Sequence, residues 1–522
     1  MRPAPLTSDY ALTLPGGIMN DKAPRGTSHS INGEELPDDP GDLFVVLYDL
    51  LSNEHFRARK PIGWRKNPIV RKLADRVRRD VLQDGYATPE LAGSMIREYQ
   101  DPGMFAVLMG LDWALGSVNP FSTCYDVPTM AWLSRRYARH NRLNSPGDEK
   151  ETGLLLPRCT RPGKLLANPT NKADYFNLHR VTPENCEGIL HGRIPSRNDP
   201  VFSGGQAISI GTAPMLEKYA DLLFDFHQED GIGLYRISPT TAALRDRIGS
   251  VIGNLGRSGA MIGVMPESTL SNELLDHWKQ LLGQLPEESG LQWLLVGTGP
   301  VGIKDVDSDA PPPNRAVLVD CLTGRKVLEQ DKMSGFTMGQ GQATRWRLPG
   351  EPQDCLAVED ITRGRDIRVM ESALGRIAIL ICEDLKQSVV WEAKFQAFGV
   401  SHVFAPLFAS PISRKPRDRW ERVAAQRCVE EQGAWVVLSN SLAVGAEMEA
   451  QPPLEPDDCF NCAVVGPASR HPTQHGNYRT QFSRSTSVVE PARVVYENDT
   501  PVIVAEGEQL PLPVVERGWA EL

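Results

Sequence analysis

The chain has 522 residues, a formal net charge of −10 and 41% hydrophobic residues. That length allows about two to four domains with at least one large core, and the acidic balance argues against a wholesale nucleic-acid or anionic-membrane coat. No apolar run approaches the ~18 residues of a membrane span, and "MRPAPLTSDYALTLPGG" lacks a sustained secretory-type apolar core, so a cytoplasmic location is expected. Nine cysteines scattered through a large chain do not form a disulfide framework, and the "CFNC" pair, Cys459 and Cys462, has no second pair or nearby His at finger-like spacing.

Residues 1–40 are rich in Pro, Gly, Ser and Asp without periodicity and are expected to form a disordered tail. Residues 41–150 read as a mainly α-helical domain of unknown role. Ile69, Leu73, Val77 and Val81 recur every four residues, and "TPELAGSMIREY" opens as a helix start. Between residues 57 and 79 lie ten Lys or Arg against one acid, Asp75, with Trp64 among them. Such a segment can be a solvated helix face, a track for a nucleic-acid backbone or a docking surface for a protein partner. The apolar stripe on the same helix favours the solvated face. Residues 151–204, rich in Pro and Asn, are expected to be an irregular connection.

Over residues 205–515 short apolar strands alternate with amphipathic helices, which predicts α/β layers. The strands are expected at 231–238, 260–267, 292–299, 315–320, 375–381, 402–407, 434–440, 485–490 and 501–506. The helices are expected at 240–256, 271–284, 388–398 and 418–432. Two long stretches, 304–314 and 442–484, interrupt this rhythm as candidate lids, contact surfaces or tolerated insertions.

Three strand ends carry chemistry. Glu267 closes "AMIGVMPE", Lys332 follows a strand and turn in "GRKVLEQDKMSGF", and Cys382 ends "GRIAILI" at a strand-to-helix turn. Taken singly each has a bland reading: a helix start, a surface amine and a core thiol. Together they supply a carboxylate to take a thiol proton, a thiol to attack a carbonyl carbon, and an ammonium to stabilise the oxyanion.

These segments resemble the nitrilase, or carbon–nitrogen hydrolase, superfamily. "GVMPESTLS", "NRAVLVDCLTGRKVLEQDKMSGF" and "GRIAILICED" are similar to its Glu, Lys and Cys elements in chain order. "RWERVAAQRCVEEQGAWVVLSNS" and "STSVVEPARVVYENDTPVIVAE" are similar to its later helix-strand element and closing hairpin. The resemblance spans residues 230–510 and implies an αββα four-layer sandwich, metal-free and cofactor-free hydrolysis through a thioester, and a homo-oligomer. Carried onto this chain, it makes Cys382 the nucleophile and Glu267 the general base. Lys332 and the backbone N–H of Glu383 would hold the oxyanion, Asp384 would anchor the turn, and Glu359 in "AVEDITRGRDIRV" would be the assisting second glutamate.

Glu383 departs from the aromatic residue many relatives carry after the nucleophile, and Cys-Glu-Asp also resembles the glutaminase portion of glutamine-dependent NAD synthetases. "SGGQAIS" (203–209) lacks the Asp of a pyrophosphate-binding loop. The expected function is a cysteine-dependent hydrolase of amide, carbamoyl or nitrile substrates. A sensor or scaffold built on the same fold and an acyltransferase with the same triad are the alternatives.

Overall fold

The computed structural model describes residues 30–31, 34–118, 128–139, 153–159, 172–195, 206–230, 232–286, 289–302, 310–348, 356–413, 420–441, 459–467 and 478–497. Most of the expected tail, the strand expected at 501–506, and much of the 304–314 and 442–484 stretches lie outside these residues. So does the start of "SGGQAIS".

The chain divides into two compact units. The first, comprising residues 1–118, 125–137 and 170–176, is mainly helical where described, with one short antiparallel pair, Ser30–Ile31 and Glu34–Glu35, ahead of the first helix. Its helices start where the sequence offers a side-chain acceptor and a proline. Asp39, Ser52 and Asn67 each accept a hydrogen bond from a first-turn N–H, and Pro40, Pro61, Pro68 and Pro89 occupy first-turn positions. Phe44, Phe56, Phe105 and Phe176 pack ring against ring in its core.

Helix Pro68–Asp84 buries Val70, Leu73, Ala74, Val77 and Val81, whereas Ile69 is 42% exposed. The four-residue step read from the sequence overshoots a helical turn by about 40° each time, so three steps back from Val81 leave Ile69 roughly 120° off the buried face. Val70 holds that inward position instead. At the crossing with helix Pro89–Leu115, a Cβ on Gly110 would stand 2.5 Å from the Ala74 carbonyl oxygen, so this close approach requires glycine.

The second unit holds two large sheets. A six-stranded sheet has the order Lys326–Asp331, Asn314–Asp320, Trp293–Pro300, Ile262–Val264, Ala207–Thr212 and Ala492–Glu497. A seven-stranded sheet runs Tyr478–Ser483, Cys462–Pro467, Trp435–Asn440, His402–Leu407, Gly375–Ile379, Ile367–Ser372 and Ile189–Arg193. The period-two alternation of strand side chains sorts the layers. Ile208, Ile210, Ile262, Val264, Trp293 and Leu295 share one core with Ile377, Ile379, Val403 and Ala405 of the second sheet.

The alternate residues Leu294, Val296, Val317 and Val319 pack instead with Leu244, Ile248, Val251, Leu274 and Trp278 of helices Thr241–Ser258 and Asn272–Leu282. Phe395, Phe398, Ala425 and Val429, from helices Ser388–Phe398 and Trp420–Gln432, join the core on the side of the seven-stranded sheet. The architecture is α/β with the order helix, sheet, sheet, helix. A smaller four-stranded sheet contains Thr337–Met338, Ala357–Glu359, Ile232–Pro239 and Leu222–Glu229.

Two expectations change. Residues 151–204, read as irregular, carry strands Leu154–Pro157, Leu178–Val181 and Ile189–Arg193, the last pairing in parallel with Ile367–Ser372. These strands are four or five residues long, too short for a periodic signal between prolines and asparagines.

The strand expected at 485–490 is a turn. Ser485 donates its N–H to Asn461 Oδ1 at 2.8 Å and accepts from the Ala492 N–H at 3.1 Å, so side chains rather than a neighbouring strand satisfy this backbone. The strand that follows, Ala492–Glu497, pairs with Ala207–Thr212 rather than closing a hairpin with residues 485–490.

Candidate active site

Glu267 lies three residues beyond strand Ile262–Val264, and its N–H donates to the Leu407 carbonyl across the two large sheets at 3.2 Å. Ser268 then takes a positive φ of 63°, which turns the chain away from the strand direction. The turn packs onto strand Trp293–Pro300 so closely that a Cβ on Gly299 would stand 1.9 Å from the Leu270 carbonyl oxygen. The "GTG" run is therefore what lets Glu267 be aimed inward.

Lys332 follows strand Lys326–Asp331 and donates its N–H to the Asn314 carbonyl at 2.8 Å, while its own carbonyl accepts from Gly364. Glu359 ends strand Ala357–Glu359 and takes its place opposite Tyr235. Its Oε2 accepts from the Phe336 N–H at 2.9 Å. All three side chains are buried and meet: Lys332 Nζ donates to Glu267 Oε1 at 2.8 Å and to Glu359 Oε2 at 2.7 Å.

Asn314, at the head of strand Asn314–Asp320, completes the arrangement. Its Nδ2 donates to Glu267 Oε1 at 2.9 Å and to Glu359 Oε1 at 3.2 Å. One amide thus donates to both of the carboxyl groups that also accept from the Lys332 ammonium. Sequence reading did not single out Asn314, because an Asn opening a strand reads as turn punctuation.

Cys382 sits where strand Gly375–Ile379 gives way to the helical turn Glu383–Lys386. Its N–H donates to the Pro406 carbonyl at 3.0 Å, and its φ of 46° with ψ of −102° is a strained conformation for a non-glycine residue. As the first residue of that helical turn, Glu383 has no intrahelical acceptor for its N–H. Asp384 turns away from this chemistry. It accepts from the Met333 and Ser334 N–H groups at 3.1 and 2.7 Å, tying the Cys382 turn to the loop after Lys332.

Burial shapes the protonation states. It pushes the Cys382 thiol well above its usual range, and the adjacent Glu267 carboxyl adds to the effect, so the resting sulfur is a thiol. Burial also raises Glu267, against the opposing pull of Lys332. For Lys332 burial alone would favour the neutral amine, but Glu267 and Glu359 outweigh it and keep the ammonium charged. Burial lifts Asp384 to about 7.

Glu267, Lys332, Glu359, Cys382 and Glu383 line one cavity of about 240 Å³. Its walls include Tyr235, Phe336, Trp346, Phe408 and Trp420, with Arg345 and Lys386 as further cations. None of these wall residues was identified from the sequence; all are aromatic or basic, and all but Tyr235, which lies mid-strand, sit in a loop or near an element end. Ordinary ligand pockets are about 300–1,000 Å³, so this one suits a small molecule.

No family model matches the chain, and no curated protein sequence matches it. Among solved structures, an amidase from Nesterenkonia sp. is similar at 15% identity, over 61% of this chain and 98% of that one, with a TM-score of 0.33. Nit3 of Saccharomyces cerevisiae, a member of branch 10 of the nitrilase superfamily, is similar at 14% identity over 58% of this chain and 94% of its own, with a TM-score of 0.35. A glutamine-dependent NAD+ synthetase from Acinetobacter baumannii is similar at 13% identity with a TM-score of 0.35, over 59% of this chain but only 49% of that one. These similarities do not identify the N-terminal helical unit.

Cys459 and Cys462 are free thiols, and burial pushes Cys462 up to about 12. Among the described residues no group of His, Cys, Asp and Glu has the arrangement of a metal site, and no helix is long and apolar enough to cross a membrane.

Proposed function

We propose that the chain is a cysteine-dependent hydrolase of non-peptide carbon–nitrogen bonds, of amidase type, acting through Glu267, Lys332 and Cys382. The observation that carries this reading is the convergence of a strained cysteine, an ion-paired lysine and two carboxyl groups at the floor of one small cavity.

The chemistry follows from the protonation states. Because burial and the neighbouring Glu267 carboxyl favour the thiol form, attack requires a base at the moment of reaction, and in this reading Glu267 takes the proton as Sγ bonds to the carbonyl carbon. The carbonyl oxygen becomes an oxyanion held by the Lys332 ammonium and the Glu383 N–H. Collapse breaks the C–N bond, the departing amine takes the proton back from Glu267, and the acyl group remains on sulfur as a thioester. Water then gives a proton to Glu267 and attacks the thioester carbon, releasing the acid and restoring the thiol. Glu359 keeps Lys332 aimed through the 2.7 Å ion pair.

The test is intact-protein mass spectrometry after incubation with a panel of amides, carbamoyl compounds and nitriles, with hydroxylamine as the trap. An adduct or hydroxamate formed by the wild type and missing from Cys382→Ala is the expected result. Full turnover by Cys382→Ala would reject the nucleophile. Complete silence of a folded wild-type protein would favour a sensor, and acyl products on an added amine in place of free acid would mark a transferase. Lys332→Ala is expected to lower kcat by roughly 10²–10³, the loss typical of removing one oxyanion donor.

A further inference from the structure

We infer that Arg236 and Asp360, neither of which lines the cavity, are positioning residues whose ion pair holds Glu359 against Lys332; the inference rests on the hydrolase reading above.

Strand Ala357–Glu359 is short support for a buried carboxyl group. It has three residues, runs parallel to part of Ile232–Pro239, and pairs on its other side with only two residues, Thr337–Met338. Glu359 lies opposite Tyr235 in the parallel register, and both side chains line the cavity. Successive strand side chains alternate faces, so the next residue of each strand, Asp360 and Arg236, is directed the other way. There they meet. Arg236 Nε donates to Asp360 Oδ2 at 2.7 Å, Nη2 stands 2.5 Å from the same oxygen, and the Asp360 N–H donates to the Tyr235 carbonyl at 2.8 Å. One residue beyond Glu359, backbone and side chain together clamp the chain to Ile232–Pro239.

The Asp360 side chain is 13% exposed, so solvent screens this pair less than an open surface pair such as Arg245 with Glu273. Two more charged groups face it. His227 Nε2 is 3.8 Å from Asp360 Oδ2, beyond hydrogen-bond reach, and Asp225 stands opposite Arg236 in the hairpin register. Asp225 belongs to the same hairpin as Arg236, so a bond to it ties nothing to Glu359.

The consequence at the site is electrostatic. Burial raises Glu267 against the pull of Lys332, and Glu359 adds to the rise. With the clamp cut, Glu359 swings away, and Lys332 is aimed by Glu267 alone. The rate then falls, and Glu267 ionises at lower pH. Simple loss of stability changes only the amount of folded enzyme.

The experiment measures ammonia release from small aliphatic amides across pH. The proteins are the wild type, Arg236→Met, Asp360→Asn, Arg236→Lys, Glu359→Gln and Glu359→Gln combined with Arg236→Met, with Arg245→Met as the control for an exposed ion pair. The same pH series is read as iodoacetamide alkylation of Cys382, followed by peptide mass mapping, which needs no substrate. Lys332 favours the thiolate of Cys382, so an ammonium less neutralised by Glu359 also moves alkylation to lower pH.

Arg236→Met and Asp360→Asn are expected to lower kcat/KM by about tenfold and to move its acid limb down by about half a pH unit, with Arg236→Lys in between. In the Glu359→Gln background Arg236→Met should cost less than about twofold, because no carboxylate is left to hold. Equal cost in both backgrounds, an unmoved acid limb, or the same loss in Arg245→Met would overturn the assignment. If no amide releases ammonia, the hydrolase reading fails, while alkylation still decides the clamp. A profile displaced to lower pH in Arg236→Met supports it, and an unchanged profile overturns it.

Discussion

Asn314 carries the clearest consequence at the scale of single residues. Its Nδ2 is shared by Glu267 and Glu359, while its Oδ1 is buried and finds no donor among the described residues. The reverse amide orientation would press that oxygen against two carboxyl groups, so the hydrogen bonding itself fixes the side chain. Replacing Asn314 with Leu removes a donor that favours the ionised form of Glu267, whose proton affinity burial already raises. A general base works only when ionised, so kcat/KM should rise with pH, and its acid limb in Asn314→Leu should lie at higher pH than in the wild type. An unshifted limb with only a uniform loss of rate would reduce Asn314 to a packing role. Glu267 and Cys382 stood out in the sequence because each ends an apolar run, and Lys332 because it follows a strand and turn in the same chain order. Asn314 was not, since its significance comes from two partners 47 and 45 positions away.

Among the elements, the Cys382 turn and the loop after Lys332 are separate in sequence but joined by the Asp384 carboxyl group. Asp384→Ala would leave the Met333 and Ser334 N–H groups without this acceptor, a loss of about 1–3 kcal/mol for each buried unsatisfied donor. The expected result is a lower urea midpoint together with a lower kcat, because Lys332 loses the anchor of its loop. An unchanged kcat with reduced stability would show that the loop holds its place without the carboxylate. The alternation of strands and helices was visible at this scale wherever strands were largely apolar and buried along their length, as in His402–Leu407 and Trp435–Asn440. It failed for the half-buried edge strand Leu222–Glu229 and for short strands such as Ala357–Glu359, where three residues hold no period.

Over the whole molecule, the second unit seals several titratable groups in its interior. Burial lowers His402 to about 3 and lowers His179 well below its ordinary value, so both stay neutral in the folded chain. Their folded pKa values lie below the unfolded value near 6.5, so the folded state gives up protons that the unfolded state would bind. This contribution to stability is present above about pH 6.5 and is lost as pH falls toward 3. For Glu371 burial acts the other way, yet the Arg376 guanidinium and His191 hold it to about 2, so its contribution disappears still further into acid. Urea midpoints should therefore decline steadily below pH 6.5, and His402→Asn should flatten part of that decline. A pH-independent midpoint between 6.5 and 4 would contradict the buried, neutral histidine. None of this was legible from sequence, where a His in an apolar strand looks like any other polar interruption.

The guanidinium of Arg376 reaches further than its partner Glu371, donating to the carbonyl of Pro157 at 3.0 Å and also to that of Phe398. Strand Ile189–Arg193 meanwhile supplies the edge of the seven-stranded sheet, with His191 bound to Glu371 at 2.8 Å. The layers that carry Cys382 are thus stitched to chain that precedes residue 205, where the sequence rhythm suggests the α/β half begins. Anyone excising that half at the obvious boundary would cut away a sheet edge and strand an internal cation, and should expect an aggregating fragment. A cut made before residue 154 would keep those seams closed.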